Sequence, residues 1–313
     1  MINKLIIPPA IKKGAKIGII SPAGAVEASQ LESTLKLIEE KGYTPILGKN
    51  ALGRFDYGYP YSGTEKERAE DLNWALNDTE IEAIWATRGG YGCQHLLEHL
   101  NLKNFKKYPK WYIGYSDNTV INSFLLKKGL ASVNGQTIKT SSFGVCEEGY
   151  DMIFNLLEGK DIQHTLKPHS LNRKGKAKGR LVGGNLALVY ALLGTRYSFD
   201  FKDNILFIEE IGENFYALDR MLMSLEMAGV FKKIAGLVVG GMINMGKEKD
   251  NKDYEFSFDN FAYKLIYNRI ERYNFPVIFG FPNGHIFENQ PIIIGAETEI
   301  NIGKSVSFIQ KRA

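Results

Sequence analysis

"KIGIISPAGAVEASQLESTLKLIEEKGYTPIL", residues 16–47, decides the fold class. It begins with "KIGIIS", an apolar run of strand length and the mark of a strand covered on both faces. "VEASQLESTLKLIEEKG" then spaces its apolar residues for an amphipathic helix and closes on Gly42. "YTPIL" is extended again. Strand, helix and strand in that order make a right-handed βαβ unit whose strands lie parallel in one sheet.

The alternation continues outward. "GTEKERAEDLNWALND" opens on Thr64 with Glu67 three residues on, the capping-box spacing of a helix start. "IEAIWAT", a helix from about 92 to 100, "WYIGY" and a helix from 117 to 128 follow. Residues 1–158 are therefore expected to form a Rossmann-like α/β domain on a parallel sheet. "GKDIQHTLKPHSLNRKGKAKGR" is polar, free of aromatics and rich in Lys and Gly, and residues 159–178 read as a linker. Beyond it, "GRLVGGNLALVYALLGT" carries a Gly pair into an apolar helix. "NILFIEEIGE", "IAGLVVGGM", "FPVIFGF" and "PIIIGAETEINI" are strands. Leu218, Met221, Leu222 and Leu225 stand at helical spacing, as a core face does. Residues 179–313 are expected to form a mixed α/β domain with several strands.

At 313 residues the chain is long enough for two domains, and 44% hydrophobic with 24% charged residues is ordinary for a soluble globular protein. The net charge of +4 is spread along the chain. Its one dense basic cluster, "RKGKAKGR" at 173–180, has no interleaved aromatics, so no nucleic-acid partner is expected. Cys93 and Cys146 suggest neither a disulfide framework nor a metal site, and a reducing, cytoplasmic setting fits them. Pro8 and Pro9 break the apolar run at the start, so neither a signal peptide nor a membrane span is expected.

Four stretches carry candidate chemistry. "GYSDN" puts Ser116 where a strand gives way to a helix. A hydroxyl on such a turn can act as a nucleophile beside the helix-start N–H groups, or can simply cap the helix. "TRGGYG", again after a strand, is an oxyanion- or substrate-binding turn or an ordinary tight turn. It has neither the P-loop nor the G-x-G-x-x-G spacing. Of five histidines, His95 and His99 read as a helix surface and His164 and His169 fall in the polar stretch. His285 sits on a Pro- and Gly-shaped turn after "FPVIF", as a positioned base does. "ILFIEE" ends a strand in Glu209 and Glu210, one of which can orient a histidine.

In order along the chain, "TRGGYG", "GYSDNT", "GRLVGGNL", "LFIEE", "DRML" and "GHIFENQPIIIGAETEI" resemble the LD-carboxypeptidase family of serine peptidases, which includes the microcin C7 self-immunity hydrolases. The resemblance covers nearly the whole chain. It implies Ser116 as nucleophile, Glu209 as triad acid and His285 as base, in a cleft between the two domains. It also implies backbone N–H groups of Gly90 and Asp117 as the oxyanion hole, and Arg88, Tyr91 and Glu213 as substrate contacts. The implied reaction is cleavage of the L,D-peptide bond to the terminal D-alanine of a murein tetrapeptide, with no metal or cofactor, by a cytoplasmic homodimer. Two other readings are an immunity-type hydrolase of aminoacyl-adenylate analogues and a non-catalytic muropeptide-binding protein. The immunity enzymes stack an aromatic on the nucleobase from the stretch that here, at 159–180, has none. The family's His-Gly-Pro stretch is replaced by "VNGQT" at 133–137.

Overall fold

The structure is a computed structural model that describes residues 5–139, 146–247 and 251–312, and the chain divides into two units, Met1–Lys160 and Asp161–Ala313.

In the first unit, β1 (Lys16–Ile20), α1 (Glu32–Glu40) and β2 (Thr44–Leu47) form the opening βαβ unit. A short hairpin, β3 (Phe55–Asp56) and β4 (Pro60–Tyr61), precedes α2 (Glu65–Asn77) and β5 (Ile81–Ala86). Then come β6 (Trp111–Ile113), α3 (Thr119–Lys127), β7 (Ser132–Asn134) and α4 (Glu147–Leu157). Within this unit the sheet runs β7-β6-β5-β1-β2, and every pair is parallel. Ile17, Ile19, Ile20, Trp85 and Trp111 are wholly buried, so these strands read as continuous apolar runs rather than alternating ones. The capping box on α2 is made as its spacing predicts. Thr64 Oγ1 accepts the Glu67 N–H at 3.3 Å, and Glu67 Oε2 accepts the Thr64 N–H at 2.8 Å. The helix expected near 92–100 is instead a 3₁₀ helix, Cys93–His99.

The second unit holds β8 (Ile162–Leu166), β9 (Gly175–Asn185), α5 (Leu186–Ala191), β10 (Ile205–Ile211), α6 (Phe215–Met227) and β11 (Gly236–Ile243). It continues with α7 (Asn260–Ile270), β12 (Val277–Phe279), β13 (Ile292–Ile294), β14 (Glu297–Ile302) and β15 (Val306–Gln310). One seven-stranded sheet runs β12-β11-β10-β9-β14-β15-β8. β9 to β12 are parallel, whereas β14, β15 and β8 pair antiparallel.

Residues 159–178, expected as a linker, contain β8 and the first part of β9. β9 pairs with β14 over Gly175–Arg180 and with β10 over Leu181–Asn185. In its first half Lys176 and Lys178 are exposed and alternate with Gly175, Ala177 and Gly179. Such small residues carry no hydrophobic signal, and the half that pairs with β14 therefore looks like polar coil. In β8 the alternation rests on Ile162 and a buried histidine, His164.

Candidate active site

β6 leads through Gly114 and Tyr115 into a 3₁₀ turn, Ser116–Asn118, and on into α3. Every residue from 111 to 120 is buried except Ser116, which is half-buried. Its backbone takes a φ of 64°, a left-handed conformation that costs a non-glycine residue roughly 1–2 kcal/mol. Tyr115 holds the N-cap position and no side chain caps the turn, so Ser116 is not a helix cap. Asn118 braces the strained turn. Its Nδ2 donates to the Tyr115 carbonyl at 2.9 Å, and its Oδ1 accepts the Tyr112 hydroxyl at 2.5 Å. Such strain persists only where neighbours over-determine the geometry.

The "RGGYG" loop is fastened to this turn. The buried carboxylate of Asp117 accepts the Cys93 N–H at 2.8 Å. Burial pushes the Asp117 pKa up, against the bonds from Cys93. Arg68, itself buried, donates to the carbonyls of Gly63, Pro22 and Gly92 at 3.1, 2.7 and 2.9 Å. A Cβ on Gly89 would lie 2.7 Å from Ser116 Cβ and 2.8 Å from its Oγ. Glycine is thus required there for close approach, and this loop packs directly on the serine. Gly90 is exposed on the same loop. Arg88 Nη1 donates to the Ala25 carbonyl at 3.1 Å, and Tyr91, 44% exposed, stands edge-on to His95 at 5.3 Å.

In the second unit the end of β10 sends its two adjacent acids to different partners. Glu209 is wholly buried, and its Oε2 lies 2.7 Å from His285 Nδ1 and accepts the His285 backbone N–H at 3.1 Å. Glu210 leaves the strand on the other face and binds Asn185, Ala187 and Ile211. Burial works to lower the His285 pKa. The charge and hydrogen bond of Glu209 outweigh it, with Glu210 adding to them, so the net direction is up. Gly284 admits the acid: a Cβ there would lie 2.9 Å from both Cβ and Oε2 of Glu209. The turn is stitched by Asn283, whose Nδ2 donates to the Gln290 carbonyl at 2.6 Å, and by Asn289, whose Oδ1 accepts the Gly284 N–H at 3.2 Å. Glu213, in the loop between β10 and α6, is half-buried, and its carbonyl accepts the Gly246 N–H at 2.9 Å.

The structure therefore groups Arg88, Gly90, Tyr91, Ser116 and Asp117 in the first unit, and Glu209 and His285 in the second. It adds residues that the sequence pattern did not single out: Arg68, Asn118 and Tyr59. Tyr59, on the hairpin, fills the space that a Cβ on Gly90 would need, 2.0 Å from its hydroxyl. Only "SDN" contained a sign of any of them. Among the described residues no group of three or more His, Cys, Asp or Glu side chains is placed to hold a metal ion.

A serine raised on a strained strand-to-helix turn, and a buried carboxylate bonded to an imidazole, are the parts that serine hydrolases use. The models of the LD-carboxypeptidase N-terminal and C-terminal domains match residues 17–135 and 178–300. The chain belongs to the LD-carboxypeptidase family and is a hydrolase of that class. It is 29% identical to a probable murein peptide carboxypeptidase of Bacillus subtilis, over 97% of this chain and 94% of that one. It is 27% identical to a murein tetrapeptide carboxypeptidase of Pseudomonas aeruginosa, over 88% and 89%. Its fold is that of the microcin C7 self-immunity protein MccF, solved with glutamyl sulfamoyl guanosine, with a TM-score of 0.85, 22% identity and 97% and 98% coverage.

Proposed function

We propose that this LD-carboxypeptidase removes the terminal D-alanine from murein tetrapeptides through a Ser116–His285–Glu209 triad. The observation that carries the assignment of roles is the 2.7 Å contact of Glu209 with His285 Nδ1, which leaves Nε2 as the nitrogen that takes up a proton. His285 takes the proton of Ser116, and Ser116 Oγ attacks the carbonyl of the L-configured residue. The oxyanion is held by the backbone N–H groups of Gly90 and Asp117. D-alanine leaves with the proton from His285, and a water deprotonated by the same base hydrolyses the acyl-enzyme, the proton returning to Ser116 Oγ. Arg88, Tyr91 and Glu213 contact the peptide in this reading.

The relatives named for murein peptides support the substrate. Two further assignments belong to the same reading. A cytoplasmic setting is supported by Cys93 and Cys146, both free and buried. A homodimer is supported by Tyr216, Met223 and Met227, exposed along one stripe of α6. No helix among the described residues is long and apolar enough to cross a membrane.

The test is to incubate the purified protein with a murein tetrapeptide and follow D-alanine by mass spectrometry, with Ser116→Ala as control. Release by the wild type alone is the expected result. No release, with cleavage of an aminoacyl sulfamoyl-adenylate instead, replaces this reading with the immunity-type one. Binding of the peptide without turnover of either compound replaces it with the non-catalytic one.

A further inference from the structure

Glu210 is 2% exposed and has no part in the chemistry above. Its two oxygens nevertheless take three N–H donors. Oε1 accepts from the Asn185 side chain at 2.9 Å and from the Ile211 backbone at 2.8 Å, and Oε2 accepts the Ala187 backbone N–H at 2.7 Å. Asn185 ends β9 and is the N-cap of α5, where its Oδ1 accepts the Leu188 N–H at 3.3 Å. One carboxyl thus joins the end of β9, the end of β10 and the first turn of α5.

That junction matters because the ladder on the other side of β10 is irregular there. β10 and β11 shift register between Ile208 and Glu210, the span that contains Glu209. Successive side chains leave a strand on opposite faces, so a restraint on Glu210 also fixes the direction in which Glu209 departs.

We propose that Glu210 is a positioning residue for the Glu209–His285 pair: it pins the end of β10 to α5 so that Glu209 is held against the imidazole, and it adds a second carboxylate to the field at His285. This rests on the reading of His285 as the base. From β9 and α5 Glu210 meets only the uncharged Asn185 and the Ala187 N–H, and its register partner on β11 is Met242. The charges it is coupled to are Glu209 on its own strand and His285 on the loop after β12. Burial, and then the charge of Glu209, push Glu210 up to about 7 against its three donors. Glu210 therefore exchanges its proton in the range where imidazoles titrate. When ionised it supports the His285 proton, and when protonated it withdraws that support.

The experiment is an NMR titration of the His285 ring and the Glu210 carboxyl in the wild type and in Glu210→Gln, followed by kinetics on a murein tetrapeptide. The wild-type groups are expected to titrate as a coupled pair. In Glu210→Gln, His285 is expected to titrate in one step at lower pH, with kcat reduced roughly 10- to 100-fold, as for a misplaced catalytic group, and KM unchanged. An unchanged His285 titration in folded Glu210→Gln overturns the proposal. So does a wild-type Glu210 carboxyl that stays ionised throughout. The wild-type titration needs neither a stable variant nor turnover, so a failure to release D-alanine bears on the peptidase reading alone.

Discussion

The buried carboxylate of Asp117 accepts the backbone N–H of Cys93 at 2.8 Å, the shorter of two side-chain bonds that join the turn after β6 to the loop after β5, the other running from Asn118 Nδ2 to the Arg88 carbonyl at 3.4 Å. Asp117→Ala leaves a buried N–H without its acceptor, which costs about 1–3 kcal/mol, measurable by chemical denaturation. Gly90 lies on the loop that is released, so peptide turnover falls by more than the stability loss explains. Asp117→Asn keeps an acceptor and recovers most of the stability. Equal losses in both variants would show that the charge, not the acceptor, holds the loop.

The strain at Ser116 separates two substitutions that both remove the hydroxyl. At a φ of 64° glycine is at ease and alanine is not, so Ser116→Gly is expected to be more stable than Ser116→Ala by about 1 kcal/mol. Neither is labelled by a fluorophosphonate, whereas the wild type is. Equal melting temperatures for the two would mean that the turn relaxes and stores no strain.

Gly89 offers a test by volume alone. An alanine there would bring its Cβ to 2.7 Å from Ser116 Cβ, so the serine must shift. Gly89→Ala is expected to lower kcat on the order of 10²-fold, the scale for a nucleophile displaced by about an ångström. Full activity would show that the loop gives way instead.

What was legible in the sequence divides along physical lines. β1 and the Thr64–Glu67 capping box were readable because their signals are local: an apolar run in one case, a three-residue spacing in the other. "GYSDN" and "NGHIF" were visible as turns after strands. Local pattern did not choose between Glu209 and Glu210 as the partner of His285, which came only from the family resemblance, because two adjacent acids differ only in which face of β10 they leave. Arg68 was silent for a related reason. It satisfies carbonyls brought near by the sheet's topology, those of Pro22 and Gly92, and no spacing encodes such a cluster. The part of the stretch 159–178 that belongs to β9 carries no strand signal because Gly and Ala form the inner face of the first half of that strand.

Removing the acid tests the pair directly. Glu209→Gln keeps the shape but removes the charge that outweighs burial at His285, so the ring's pKa falls. Turnover is expected to drop on the order of 10⁴-fold, as when a triad histidine loses its acid partner. A variant retaining near-normal rate would remove Glu209 from the triad.

His164 gives the fold a pH dependence of known sign. It is buried on β8 with Phe281 at 5.1 Å and Phe308 at 5.7 Å, and burial lowers its pKa from 6.5 to about 4. The unfolded chain takes up a proton at its ordinary value while the folded protein does not. Stability from this group is therefore intact above pH 6.5 and is lost as pH falls toward 4. Glu210 works in the opposite sense. Its folded pKa of about 7 lies above the usual 4.5, so its contribution declines as pH rises through that interval. The two offset each other in the wild type, and only a variant isolates either one. In His164→Phe the aromatic packing is kept and the Nε2, which has no hydrogen-bond partner, is removed. Melting temperatures measured on acidification from neutral pH are expected to fall less in His164→Phe than in the wild type. Parallel pH profiles for the two proteins would mean that His164 is protonated in the folded state as readily as in the unfolded one.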